Sequence, residues 1–227
     1  MATLGHRATI RASGAPIPFV AAGMTDTGGD GLIFQLTDPA RHILDPDTAI
    51  VVEVDTGGGF VAAPAEDYRV LPLAGMVAFK VARPGATVRM TGAAVPTLAF
   101  IGARECSVSI QNEIKDNTAL NFNDGNRTKD YGLGDLTGDV SLLDDLFSDL
   151  DPGAGAEKVA TWIKNKAAKL IEYAPFPGEV YRAWVLLDGA DAATAVDDYN
   201  SASISFSLAP RKMAGRNEWA SYGMITT

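Results

Sequence analysis

A mainly β fold, a sandwich or partial barrel flanked by one amphipathic helix, is what this chain predicts, and three observations predict it. Residues 201–208 alternate strictly, with Ala202, Ile204, Phe206 and Leu208 on one parity and Ser201, Ser203, Ser205 and Ser207 on the other. A period of two sends successive side chains to opposite faces of a sheet, so one face is core and the other is not. Residues 105–111 repeat the scheme, with Cys106, Val108 and Ile110 against Glu105, Ser107, Ser109 and Gln111. Gly and Pro cluster as turn signals between short apolar runs through the first hundred residues, the spacing of a sandwich or barrel.

In chain order, residues 1–100 form an N-terminal β region with strands expected at 8–11, 17–21, 32–36, 49–55, 68–71, 76–81 and 87–90. Gly28-Gly29-Asp30-Gly31, Asp45-Pro46-Asp47, Gly57-Gly58-Gly59 and Pro84-Gly85 separate them, each a turn composition. Residues 67–70 and 73–79 read as a hairpin with Val77, Phe79 and Val81 toward its core and Ala78 and Lys80 outward. A soft boundary falls in the Pro-interrupted connector at 92–102, and the two parts are open to sharing one sheet system.

Residues 101–227 form the second part. After the strand at 105–111 comes an irregular stretch, 112–138, rich in Asn, Asp and Gly. Long structureless loops are uncommon in compact domains and are usually functional or disordered. Leu120, Phe122, Tyr131 and Leu133 punctuate this one, which favours a loop that orders against a partner or against its own domain. A short strand is expected within 136–142, then an acidic helix over 142–150 ended by Pro152-Gly153. The helix at 157–173 carries Val159, Ile163, Ala167 and Leu170 as one stripe, widened by Ala160 and Ile171; Pro175 and Pro177 stop it. Strands at 179–187 and 201–208 follow, and the tail at 211–227 carries Arg216, Trp219 and Tyr222. A tail with aromatics more often docks than hangs free.

Charge and composition narrow the function. The net charge is −9, which argues against holding nucleic acid through phosphate contacts but suits a wall that phosphates slide past without sticking. Cys106 is the lone cysteine, so no intrachain disulfide forms and a small core residue is expected. The N-terminus lacks the pattern of a signal peptide and no apolar run approaches membrane-spanning length, so a cytoplasmic product is expected. His6 and His42 are the only histidines. No zinc-ligand spacing, nucleophile elbow or Walker motif is present. Gly132-Leu133-Gly134-Asp135-Leu136-Thr137-Gly138 has the wrong last spacing and no βαβ unit around it for a phosphate cradle. Asp135, Asp139, Asp144 and Asp145 lack the order of a calcium loop. The chain is expected to be no enzyme, with no catalytic residues, no cofactor and no metal.

The layout resembles the tail tube (major tail) proteins of long-tailed bacteriophages. The residues that carry the resemblance are Glu105-Cys106-Ser107-Val108-Ser109-Ile110-Gln111, Asp116-Asn117-Thr118, Leu136-Thr137-Gly138-Asp139-Val140-Ser141, the helix at 156–173 and the strands at 180–187 and 203–208, covering roughly residues 100–210. Residues 41–46 (Arg-His-Ile-Leu-Asp-Pro) and 67–70 (Asp-Tyr-Arg-Val) look like β segments of other tail and connector proteins. The resemblance implies a structural virion protein whose copies form stacked, hexameric rings with inner sheets joined into a barrel. DNA passes through such a tube without specific binding; partners are other copies and other phage tail proteins, with no membrane, in a virion tail assembled in the host cytoplasm. It makes Glu105, Ser107, Ser109, Gln111, Ser201, Ser203, Ser205 and Ser207 lumen-facing candidates. Leu120, Phe122, Tyr131 and Leu133 become inter-ring loop candidates, and Arg216, Trp219 and Tyr222 subunit-contact candidates. The first hundred residues exceed the smallest tube subunits and either decorate the outside or extend the tube sheet. The alternatives are a carbohydrate- or receptor-binding β-sandwich and a tail terminator or connector ring.

Overall fold

A computed structural model describes residues 9–99, 103–116, 129–143, 162–166, 168–176, 179–193, 201–216, 219–220 and 222–226. The strands in chain order are β1 (Thr9–Ser13), β2 (Ile17–Asp26), β3 (Ile33–Leu36), β4 (Val51–Asp55), β5 (Val61–Ala62), β6 (Tyr68–Leu71), β7 (Met76–Phe79), β8 (Thr87–Ala94) and β9 (Thr97–Ala99). They continue with β10 (Ala103–Asp116), β11 (Lys129–Leu143), β12 (Lys169–Phe176), β13 (Glu179–Ala193), β14 (Ser201–Leu208), β15 (Arg211–Lys212), β16 (Trp219–Ala220) and β17 (Tyr222–Thr226). The fold is mainly β, as the alternation predicts.

Two large sheets hold all of these strands but β15 and β16, which pair with each other. A seven-stranded sheet runs β5-β4-β8-β2-β3-β7-β6, and an eight-stranded one runs β10-β11-β14-β13-β12-β1-β9 with β17 added against β13. The first described strand, β1, and the connector strand β9 thus belong to the second sheet, and β2 to β8 build the other. Apolar parity explains the seven-stranded sheet's inner face: Phe34 and Leu36, Val52 and Val54, Val70, Val77 and Phe79, Val88 and Met90 are all buried in one cluster. Leu170, Trp184 and Met213 from the second half join that cluster, so the sheets share a core. Arg182 fastens the junction, with Nη1 donating to Leu73 O at 2.6 Å and Nε to Glu172 Oε2 at 2.8 Å. A second core lies on the opposite face of the eight-stranded sheet, where Ile10, Ala12, Val140, Ile171, Ala183, Val185, Leu187, Ile204 and Phe206 meet Trp162 and Ile163.

The structure corrects four expectations. The helix expected at 157–173 is helical among the described residues only at 162–164, Lys166 turns the chain with φ +48°, and its second half is strand β12. Leu170 and Ile171, which widen one helical stripe, lie in different cores on opposite faces of the sheet; burial on both sides overrides helical periodicity. The irregular stretch expected at 112–138 is two arms of a long hairpin, β10 and β11, paired from Ala103↔Leu142 to Asp116↔Lys129. Its Asn and Gly residues signalled turns, yet cross-strand pairing supplies what local propensity lacks; residues 117–128 lie outside the described residues. The acidic helix expected at 142–150 begins instead as the end of β11, with Leu142 and Leu143 in the strand, and the remainder lies outside the described residues. Val81 is 72% exposed and not in the hairpin core, because β7 stops at Phe79 and the period of two stops with it.

Candidate interface: a hydroxyl-lined sheet face and its edge

The two alternating stretches of the sequence lie in one sheet, one strand apart. β11 is the strand between them, and its register sets both on a common face. Glu105, Ser107, Ser109 and Gln111 stand opposite Ser141, Asp139, Thr137 and Asp135. Ser141, Asp139 and Thr137 stand in turn opposite Ser203, Ser205 and Ser207, and Leu143 opposite Ser201. Directly paired residues share a face, so hydroxyls of three adjacent strands form one surface. Ser107, Ser109, Thr137, Asp139 and Ser205 are exposed; Ser141, Ser203 and Ser207 are half-buried. Ser205 Oγ donates to Asp139 Oδ1 at 2.8 Å. None of these register positions holds a Lys or Arg, while Glu105, Asp135 and Asp139 are acidic. The surface is short-chained, hydrated and negative.

The opposite parity supplies the second core. Val140, Ile204 and Phe206 are buried there, with Cys106 and Val108 packed at its margin. Gly138 lies directly opposite Phe206, and a Cβ at Gly138 would stand 2.4 Å from Phe206 Cζ, so the ring occupies the space a side chain would need. Desolvation, with the Asp139 charge as a second cause, pushes the Cys106 thiol up to about 11. Desolvation also raises the Tyr173 phenol, with Cys106 and Tyr181 contributing. β10 and β12 are at separate places in the sheet order, yet Cys106 and Val108 of β10 pack against the cluster that holds Ile171 of β12 and Ile10 of β1, which places the apolar face on the inside of a curled sheet.

Edges distinguish this region from the rest. β10, fourteen residues long without a proline, ends the eight-stranded sheet, and no described residue pairs with its outer side. β9, at the other end, has three residues preceded by Pro96. In the seven-stranded sheet, β5 has two residues with Pro64 close behind. β6 is followed by Pro72, and Arg216 Nη2 donates to its Tyr68 O at 2.9 Å and to Ala65 O at 3.1 Å. Short length, proline and a covering cation blunt those edges; β10 is long and free of proline, and is interrupted only by register irregularities at 103–105 and 112–114.

The remaining candidates are placed as follows. Tyr131 and Leu133 fall in β11, and Leu120 and Phe122 lie outside the described residues. Arg216 stacks over Tyr68, with its guanidinium carbon 4.4 Å from the ring centroid; Trp219 belongs to the β15–β16 pair and Tyr222 opens β17, which pairs with β13 of the same chain. Trp184 is buried and Trp162 packs on the second core beneath Lys169, 4.6 Å from its ring centroid, so neither offers a flat platform for a sugar. A shallow cleft lined by Val54, Thr56, Gly58, Gly59, Asp67 and Arg83 holds one ion pair, Arg83 to Asp67 at 3.2 Å. Among the described residues no group of three His, Cys, Asp or Glu is close enough to hold a metal. Sequence reasoning missed β11 as the partner joining the two serine strands; its alternation over Thr137, Asp139 and Ser141 marks a strand but not which strands it pairs with.

No protein-family model and no curated protein sequence matches the chain. Among solved structures it is similar to a chain in the tail of an empty GTA particle refined with C6 symmetry, at 13% identity over 58% of this chain and 87% of that one, TM-score 0.41. It is similar to a chain in the virion of a native gene transfer agent particle, at 16% identity over 58% of this chain and 88% of that one, TM-score 0.41. A likeness to the SPP1 tail tube has 8% identity over 82% of this chain and 80% of that one, TM-score 0.33.

Proposed function

We propose that this chain is a structural subunit of a phage-type tail tube, assembling with copies of itself into stacked rings. The observation that carries the reading is the conjunction at β10: a hydroxyl-lined face that runs across β14, β11 and β10 and ends on a long, proline-free edge with no partner among the described residues. An unpaired strand of this length is a template for another chain's backbone, and a copy of the same sheet placed there would carry the polar face onward. Repetition around a closed symmetry gives a ring; six copies is the number that the sequence resemblance implies, and heterologous contacts between rings give a tube. A lumen lined by Ser107, Ser109, Thr137, Asp139 and Ser205 offers DNA no cation to pair with and repels its phosphates, which permits passage without binding. Such a protein works in the virion tail beside other tail components and needs no catalytic group.

Negative-stain electron microscopy of the purified protein across a concentration series tests this. Rings or tubes with a central hole are expected, growing in number with concentration. Single small particles at every concentration, with assembly conditions varied, would overturn the reading.

A further inference from the structure

The lane beside β13 is filled twice. β14 occupies it along Val185–Ala193 and β17 along Glu179–Ala183, both on the side away from β12. In the next lane, β11 pairs with β14 only from Thr137 to Leu143. Its residues 129–136 run on past the end of β14, paired with β10 alone, beyond a register irregularity between Asn112 and Ile114. This distal hairpin is a two-stranded arm. It passes β17 without pairing to it among the described residues, so β17 and the arm each keep an open edge.

The direction of the backbone groups of β17 follows from one bond. Ala209 N donates to Trp184 O at 2.8 Å, so Trp184 presents its carbonyl to the β14–β17 lane. By the alternation of an antiparallel ladder, Arg182 and Val180 do the same and bond to their partners Gly223 and Ile225. Tyr222, Met224 and Thr226 therefore aim their N–H and C=O groups outward. Buried backbone groups are almost always paired, and a free edge that is neither short of donors nor blocked by proline invites a strand. The β17 edge, Tyr222-Gly223-Met224-Ile225-Thr226, carries no charge in a chain of net charge −9, and on the arm the run Tyr131-Gly132-Leu133-Gly134 carries none between Asp130 and Asp135. Two copies repel in general, and these runs are where backbones can meet without bringing carboxylates together.

We infer that the outer edge of β17 receives the β11 strand of the hairpin arm of a second copy, adding it as a further strand in the lane that the chain's own arm leaves empty. The contact is head-to-tail, arm on one copy and acceptor on the next, the kind that stacks rings into an open tube. This rests on the tail-tube reading and deepens it by naming the acceptor.

Met224→Pro is the test. It removes an outward N–H and sets a proline ring on the free edge while leaving the bonds of Gly223 and Ile225 to β13 in place; proline is tolerated at such edge positions. The expected result is a folded protein, with the far-ultraviolet circular dichroism of the parent, that forms rings but loses stacked tubes. A second measurement decides if Met224→Pro misfolds. In a Cys106→Ser background, Met224→Cys combined with Leu133→Cys or Tyr131→Cys is oxidised after assembly, and covalent multimers on a non-reducing gel are expected from at least one pair. Parent-like tubes from a folded Met224→Pro protein, or tubes that give no covalent multimers with either pair, overturn this inference alone. If the parent protein forms neither rings nor tubes, the functional reading fails and this inference with it.

Discussion

Where the seven-stranded sheet ends, at β5 and β6, the chain has placed prolines and, over β6, the guanidinium of Arg216; β10, which ends the eight-stranded sheet, has no proline, and no described residue pairs with its outer side. Their outer surfaces differ too. On the first sheet, Arg89 pairs with Glu53 at 2.7 Å and covers Phe60, with 3.8 Å from its guanidinium carbon to the ring centroid, so an outward charge is neutralised by its neighbours. On the second, Asp139 has a serine hydroxyl beside it and, among the described residues, no ion-pair partner. One sheet is finished within the chain; the other carries a uniform surface to a raw edge. On the proposed reading, the difference separates a part that stabilises the subunit from a part that joins it to the next.

The contrast between the two faces of β14 breaks first if it is false. Ile204→Asp sets an unpaired carboxylate where the side chain is 2% exposed and is expected to cost more than about 4 kcal/mol, unfolding the domain. Chemical denaturation or a thermal melt reads it directly. Ser205→Asp, one residue on, turns a donor into a carboxylate facing Asp139. It should cost about 1 kcal/mol or less, and added salt should recover part of that. Equal damage from both would mean that the polar face is buried.

The junction between the sheets ranks next. Glu172 is 8% exposed and meets Arg182 at 2.8 Å and Arg11 at 3.8 Å. Glu172→Gln leaves the largely buried Arg182 without its counter-charge and is expected to cost about 3 kcal/mol. A Gln that lowered the melting temperature no more than Glu53→Gln does would show that the sheets are held by their shared apolar core alone. Gly138→Ala comes below it, at about 1–3 kcal/mol for a methyl that meets both the Phe206 ring and the Ser107 carbonyl oxygen; an unchanged denaturation midpoint would mean that ring and β10 backbone both give way freely.

Most of this fold is legible in the residues, for a physical reason. Wherever one side of a strand is core and the other is water, the period of two survives in the sequence. Ser201–Leu208 is found to the residue, Tyr68–Leu71 likewise, and every strand expected in the first hundred residues has a counterpart within a few positions. The signal fails where burial is two-sided or where pairing does the work. Lys169–Phe176 buries Leu170 on one face and Ile171 on the other and so imitates a helical stripe. Residues 129–134, rich in glycine, imitate a loop and become a strand because β10 lies alongside. The candidate surface was legible as two separate serine stripes. That β11 joins them into one face is a matter of register, which no local pattern encodes.

The smallest effect concerns Cys106, at the margin where the exposed edge meets the second core. Its folded thiol is held near 11, against an ordinary value of 9.0, by desolvation first and by Asp139 second. A folded value above the unfolded one means that the native state keeps a proton that the unfolded chain releases. The associated stability is whole below about pH 9 and is lost as pH rises toward 11. Two consequences are measurable. At pH 8 the folded protein should react with a small maleimide roughly a hundredfold more slowly than the denatured chain, one factor of ten for each unit of raised pKa. Asp139→Asn should narrow that gap only slightly, because the charge is the lesser cause. A folded thiol that reacts as fast as the denatured one would place Cys106 on the wet side of β10, and the two faces of the edge strand would have to be exchanged.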